Sequence, residues 1–136
     1  MATEKREAIE GIGPALGAKF ESAGVADTDA LLAQGATPAG RRTLAAATGL
    51  SESRILTFVD MADLFRVRGV AGEYAELPVA AGVDTVRELA TRNGENLAKR
   101  LAEVDAAKHL TRRVPSQATV EDWIREAGVL PTRITH

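Results

Sequence analysis

The stretch IEGIGPALGAKFESAGV, residues 9–25, recurs in related form as VRGVAGEYAELPVAAGV, residues 67–83. Each copy begins with an apolar residue, a charged residue, Gly and a second apolar residue, and each ends in Ala-Gly-Val. After a one-residue deletion the match continues, with Asp27-Thr28 corresponding to Asp84-Thr85. Agreement over so many positions predicts two related helical units, which pack together because one such unit buries too little apolar surface alone.

Capping residues and glycines predict short helices along the whole chain. Pro14, Asp27 or Thr28, Thr37-Pro38 and Ser51 suit first turns, whereas Gly24 and Gly49 suit left-handed stops. Abundant Ala and an aromatic content of only 4% favour helices over sheets. We therefore expect an all-α, pseudo-two-fold pair of repeats around one core, within a single domain spanning 1–136. The expected parts are a first repeat 4–50, a connector helix 51–66, a second repeat 67–114 and a last helix 115–128.

The charge balance and residue types limit the functions open to the chain. With 17 Lys and Arg against 19 Asp and Glu, the net charge is −2, so any nucleic-acid contact requires a local patch. Zero Cys excludes disulfides and thiolate sites, and two His residues make a metal site unexpected. No catalytic constellation occurs at a recognisable spacing, so we expect a non-enzymatic protein without a cofactor. Charges or Gly interrupt every apolar run, so we expect neither a membrane span nor secretion, but a cytoplasmic protein.

The residues Gly11, Ile12 and Gly13 separate a predicted helix over 4–9 from the helix that Pro14 opens. Gly11 can adopt a positive φ, Ile12 can fill the gap between the helices, and Gly13 allows a ligand to approach the backbone. This arrangement resembles the hairpin of helix-hairpin-helix modules. The resemblance implies that N–H groups at the start of the next helix bind a nucleic-acid phosphate without reading sequence, with Lys19 as a supporting charge.

The second hairpin keeps the first glycine, Gly69, and an apolar residue, but has Ala71 where the first hairpin has Gly13. The added methyl group obstructs close approach, so Gly69 serves either a phosphate site or a reversal retained for packing. Further along, Pro78 lacks an N–H and is expected to kink or end its helix near Leu77. Gly128 is expected to end the last helix, with a frayed tail behind it.

A wider resemblance covers nearly the whole chain. It rests on segments ILTFVDMADLFRVRGV (55–70), EYAEL (73–77), AAGVDTVRELA (80–90), RN (92–93) and RRVPSQATVEDWI (112–124). In these segments the chain resembles the bacterial family catalogued as domain of unknown function 4332, built from tandem helix-hairpin-helix units. The resemblance implies a small helical domain similar to the sterile alpha motif, and it implies no settled activity.

Basic residues concentrate in the second unit. The residues that could flank a DNA or RNA backbone are Arg92, Lys99, Arg100, Lys108, Arg112 and Arg113. Because Lys99 is four residues from both Glu95 and Glu103, ordinary ion pairs on a solvated helix face are the alternative.

A protein-interaction adaptor, either monomeric or dimeric, is the second functional hypothesis. An apolar surface at Trp123 or Tyr74 would support it, although both residues also suit a packed interior. His109 is predicted at the surface, and Asp60 and Asp63 are predicted to be caps or ion-pair partners rather than catalytic acids.

Overall fold

The computed structural model describes residues 14–70, 74 and 77–135, so the predicted helix over 4–9 lies outside the described residues. The described residues are helical in the order predicted, which confirms the all-α fold class. The helices are α1 Pro14–Ser22, α2 Thr28–Gly35, α3 Pro38–Thr48, α4 Glu52–Leu64, α5 Leu77–Ala80, α6 Val86–Ala90, α7 Gly94–Lys108 and α8 Gln117–Val129. None of these helices has the length and apolar content needed to cross a bilayer.

Side-chain caps determine where most helices start. The Asp27 carboxylate accepts the N–H of Ala30 at 2.8 Å, and the Thr85 hydroxyl accepts the N–H of Glu88 at 3.1 Å. Each bond satisfies a donor that the first turn leaves without an intrahelical partner. The same geometry occurs at Thr37, Ser51, Asn93 and Ser116. The predicted left-handed stops are confirmed at Gly24 with φ +83° and at Gly49 with φ +77°.

One predicted helix boundary falls partly outside the described residues, and another is off by one residue. Pro78 lies in the first turn of α5, where a missing N–H breaks no intrahelical bond, and the predicted helix before it falls on residues 71–76, of which only Tyr74 is described. Gly128 does not end α8, which continues to Val129 and reaches its cap at Leu130.

The helices form two groups with matching contacts. In the first half α4 packs on α2 and α3, and in the second half α8 packs on α6 and α7. Each half has its own hydrophobic cluster, the first around Phe20, Ile55 and Phe58 and the second around Leu101 and Trp123. The described buried residues thus form two clusters rather than the one core expected, and Val79 packs against both.

The end of α4 joins the two halves. Leu64 belongs to the second cluster, although its neighbours Met61 and Ala62 belong to the first. Asp63 pairs with buried Arg66 at 2.6 Å, and its other oxygen accepts the N–H of Val86 at 2.8 Å. The sequence-based interpretation of Asp63 as an ion-pair partner and cap is thus confirmed.

Asp60 lies one turn earlier on α4 and is only 7% exposed. Burial raises the pKa of its carboxyl to about 7, helped by the negative charges of Asp84 and Asp63 and opposed by the positive charge of Arg41. Near neutral pH this buried carboxyl on α4 is therefore partly protonated.

The tail does not fray as expected. Residues 131–135, which we term the return segment, run from α8 back to the first half. Ile134 is 7% exposed and joins the first cluster, and the Thr135 N–H donates to the Ala36 carbonyl at 2.7 Å.

The close packing of α2 on α4 predicts a steric effect of a Gly35→Ala substitution. A Cβ at Gly35 would lie 2.4 Å from Cγ2 of Val59, which is fully buried, so we expect the free energy of unfolding to fall by about 1–3 kcal/mol. Gly128→Ala is the matched control, since a Cβ there meets nothing within 4 Å; it should raise stability by up to about 1 kcal/mol. Urea denaturation measures both values, and equal effects of the two variants would contradict the packing described.

The pKa of Asp60 predicts how stability varies with pH. Its folded value of about 7 exceeds the ordinary value of about 3.9, so the folded chain keeps a proton that the unfolded chain loses. This residue therefore makes the free energy of unfolding fall as pH rises from about 4 to 7. Asp60→Asn should remove that slope and be roughly 2 kcal/mol more stable than the parent at pH 8. Urea denaturation at pH 4.5 and pH 8 tests this, and an unchanged slope in the variant would refute it.

Candidate functional site

The predicted basic stretch divides into two parts with different surroundings. Lys99 and Arg100 lie on the middle of α7, exposed to solvent. Lys99 lies 3.4 Å from Glu95, and Arg100 lies 3.7 Å from Glu103, both as helix-surface ion pairs. At Lys99 and Arg100 the structure therefore agrees with the alternative interpretation, a solvated helix face of paired charges. These two residues contribute little net positive charge to the surface.

Arg112 and Arg113 lie beyond the end of α7, in the connection to α8. That connection has eight residues, 109–116, whereas the equivalent connection from α3 to α4 has three, 49–51. We call residues 108–113, with the sequence KHLTRR, the basic loop. Its side chains Lys108, His109, Arg112 and Arg113 are all exposed. Lys108 is eight positions after Arg100 on α7, so the loop begins about 12 Å further along the helix axis.

A left-handed residue starts the basic loop. His109 has φ 53° and ψ 49°, and its N–H donates to the Asp105 carbonyl at 2.7 Å. In the first half Gly49 ends α3 in the same way, with its N–H donating to the Ala45 carbonyl at 2.9 Å. A side chain at positive φ is uncommon, although His is enriched there several-fold. The backbone thus projects a His side chain outward where the other half has none.

Asp105 holds the rest of the basic loop in place. Its carboxylate accepts the Thr111 N–H at 2.8 Å and the Thr111 hydroxyl at 3.0 Å. Burial alone would raise the pKa of this carboxyl, but hydrogen bonds from Thr111 and from the Leu110 N–H, with the His109 charge, lower it below its ordinary value. Asp105 is only 8% exposed, and its carboxylate is turned toward the loop backbone.

The outer side of the basic loop is positively charged. Neither Lys108 nor Arg113 forms an ion pair with any residue that the structure describes. A shallow open depression lies beside them, lined by His109, Leu110, Thr111 and Arg112. Within residues 14–70, 74 and 77–135 no group of three His, Cys, Asp or Glu side chains is placed to hold a metal ion. The loop suits an anionic ligand.

Only two of the site residues predicted at the hairpins, Lys19 and Gly69, lie within the part of the chain that the structure describes. Gly11, Ile12 and Gly13 lie outside the described residues, and Lys19 is exposed on α1, in the other half of the chain. Gly69 makes the predicted reversal with φ +89° and is exposed, with α8 close beside it. A Cβ at Gly69 would lie 3.3 Å from Nε1 of Trp123, and Glu126 accepts the neighbouring Arg68 N–H at 3.1 Å.

The aromatic side chains are interior residues. Trp123 is 3% exposed, and its ring centroid lies 5.5 Å from that of half-buried Tyr74, edge to face at 62°. The remaining aromatics are three Phe residues, all buried. The packed-interior interpretation of Trp123 and Tyr74 is therefore confirmed, and the chain has no exposed ring on which a base could stack.

His109 was missing from the residues that sequence reasoning selected for the site. The available signal was the length of the connection that follows α7, compared with the connection at the equivalent point of the first half. A second signal was Asp105, since Asp near a helix end often binds the backbone of the following turn.

The Asp105 hydrogen bonds predict the effect of removing its charge. In Asp105→Asn the Thr111 amide should exchange with solvent several-fold faster at pH 6, because a neutral acceptor binds it less strongly. A lowered pKa means that this stabilisation is present above about pH 4 and is lost as pH falls through the folded value. Parent and variant should thus converge at low pH. Amide exchange measured by NMR tests this, with the Leu97 amide inside α7 as the internal control; equal Thr111 rates at pH 6 would contradict it.

A comparison with known protein families shows to which family the chain belongs. The family model described as Domain of unknown function (DUF4332) matches residues 10–130, which include all eight described helices. No curated protein and no solved structure matches the chain. Because the match covers most of the 136 residues, the chain belongs to the DUF4332 family of domains of unknown function.

Proposed function

We propose that the protein is a non-enzymatic module that binds the phosphate backbone of nucleic acid without reading its sequence, through the basic loop. The observation that carries the proposal is the exposed set Lys108, His109, Arg112 and Arg113, with the nearest acidic residue in sequence, Asp105, turned inward. Phosphate contacts supply most of the affinity of sequence-independent binding. A local patch of this kind is compatible with a net charge of −2.

The loop is also held in shape. The bonds from Asp105 to Thr111 and the left-handed His109 fix the backbone on both sides of Leu110. A rigid loop loses less conformational entropy on binding than a flexible one. Arginine is well suited to this role, because its planar guanidinium can bind a phosphate with two hydrogen bonds.

Two features support backbone binding rather than base recognition. With every aromatic ring buried or half-buried, stacking of unpaired bases has no platform. Of the exposed basic residues of the basic loop, only Lys108 is helical, at the last position of α7, and the others lie in a connection rather than along a helix that could enter a major groove. Compared with the residues selected from sequence, the proposal gives greater weight to Lys108, Arg112 and Arg113 and less to Lys99 and Arg100.

The proposal predicts which charges matter for binding. With about three phosphate contacts, the affinity for a 20-base-pair duplex should fall with salt with a log–log slope of roughly −3. Arg112→Gln/Arg113→Gln should weaken binding about tenfold at about 50 mM salt, because two contacts are lost. Lys99→Gln/Arg100→Gln removes the same total charge from a paired surface and should weaken it less than about threefold.

Fluorescence anisotropy of labelled duplexes with two unrelated sequences, with the full-length chain as titrant, measures these affinities. Absence of binding by the parent chain, or an equal loss in both double variants, would refute the proposal. A strong preference for one duplex would refute sequence independence.

A further inference from the structure

The return segment lies across the first half in the manner of a bound peptide. Arg133 is half-buried, Ile134 is buried and Thr135 is exposed, which is the alternation of an extended chain on a surface. The side chain of Ile134 enters the first hydrophobic cluster, to which α1 to α4 contribute most of the other buried residues. A single apolar side chain thus anchors the segment.

Both backbone polar groups of Thr135, the last described residue of the segment, are hydrogen-bonded to the first half. The Thr135 N–H donates to the Ala36 carbonyl at 2.7 Å, and the Thr135 carbonyl accepts from Nη2 of Arg41 at 2.7 Å. Arg41 is 5% exposed, and its Nη1 donates to the Gly35 carbonyl at 2.8 Å. The Arg41 guanidinium is therefore held in place by the Gly35 carbonyl as well as by the segment.

An ion pair between Arg133 and Asp29 adds a contact between the return segment and α2. Nη1 of Arg133 lies 3.7 Å from Oδ1 of Asp29, near the start of α2. Together Asp29, Ala36, Arg41 and the socket of Ile134 form what we call the α2–α3 groove. It offers an acid for a basic side chain, a pocket for an aliphatic one, and backbone partners, which are the elements by which proteins capture extended peptides.

The contacts that hold the return segment are few and lie at its end. Pro131 and Thr132 are exposed, and Ile134 is the one described residue of the segment that is buried. Few buried apolar contacts and irregular backbone mark a region that opens at low cost while the rest of the fold stays intact. A competitor could thus enter the groove without unfolding the chain.

We propose that the α2–α3 groove is a peptide-docking site, occupied in this chain by its own residues 133–135 and able to take an extended segment of a partner protein. The segment it fits has a basic residue followed by a branched aliphatic residue and then a residue with a free N–H. This site is independent of the basic loop, which follows α7 in the other half of the chain.

The test uses full-length variants whose groove is opened and a labelled peptide LPTRIT, equal to residues 130–135. Ile134→Asp should release the return segment and bind the peptide at least tenfold more tightly than the parent chain. In the parent the attached segment competes at an effective concentration on the order of millimolar. Thr135→Pro, which removes the N–H donated to Ala36, opens the same groove without placing a charge near the cluster. Thr132→Ala, at an exposed position of the same segment, is the matched control and should bind as the parent does.

Three further measurements identify the groove as the site. A peptide with Asp in place of Ile should not bind, and Arg41→Lys combined with Thr135→Pro should lose most of the affinity. Arg112→Gln/Arg113→Gln combined with Thr135→Pro should keep it. Circular dichroism confirms that each variant is folded, and anisotropy measures each affinity.

The proposal is overturned if folded Ile134→Asp and Thr135→Pro bind no peptide at 1 mM, or bind it no better than the parent. A concentration-dependent dimer of the parent that exchanges return segments would assign the groove to a second copy and would also overturn it.

Discussion

The carboxylate of Asp63 sets the relation between the two halves of this fold. One of its oxygens binds Arg66 on the adjoining turn, and the other accepts the Val86 N–H at the start of α6. A buried carboxylate must have partners, because leaving it without them would cost several kcal/mol. With both oxygens bound, Asp63 ties the start of α6 to the end of α4. The hydrophobic clusters on either side supply most of the stabilising free energy, while this joint determines how they are arranged.

The two halves share their helix order and differ most where the second has the longer connection. In the first half Gly49, Leu50 and Ser51 link α3 directly to α4. In the second half α7 runs on to Lys108, and the eight residues that follow carry His109, Arg112 and Arg113. Loops on a rigid scaffold change without cost to the core and often carry function. The difference between the halves, rather than their likeness, therefore indicates where a ligand would bind.

Local signals in the sequence were sufficient to predict most of the helices. Caps such as Thr37, Ser51 and Thr85, and stops such as Gly24, act through residues within one turn, so their effect can be recognised without knowing the fold. At Pro78 the periodicity did not show that a helix begins beside it at Leu77. The pairs Asp63 with Val86 and Thr135 with Ala36 join residues that are distant in the chain, and no short-range pattern reports such contacts. The sequence showed where the basic residues of the site lie. Only the ion pairs of Lys99 and Arg100 showed that the middle of α7 carries little net charge, whereas the basic loop is positively charged.

The separation of the two clusters also determines what optical spectroscopy can observe. Trp123 and Tyr74 both belong to the second half, whereas Phe20 and Phe58, with ring centroids 6.1 Å apart, belong to the first. The single indole of the chain is thus an emission probe for one half only. If the halves lose their structure at different temperatures, fluorescence would record the second alone, and far-ultraviolet dichroism would record both. A difference between the two melting curves would then measure the strength of the joint at Asp63.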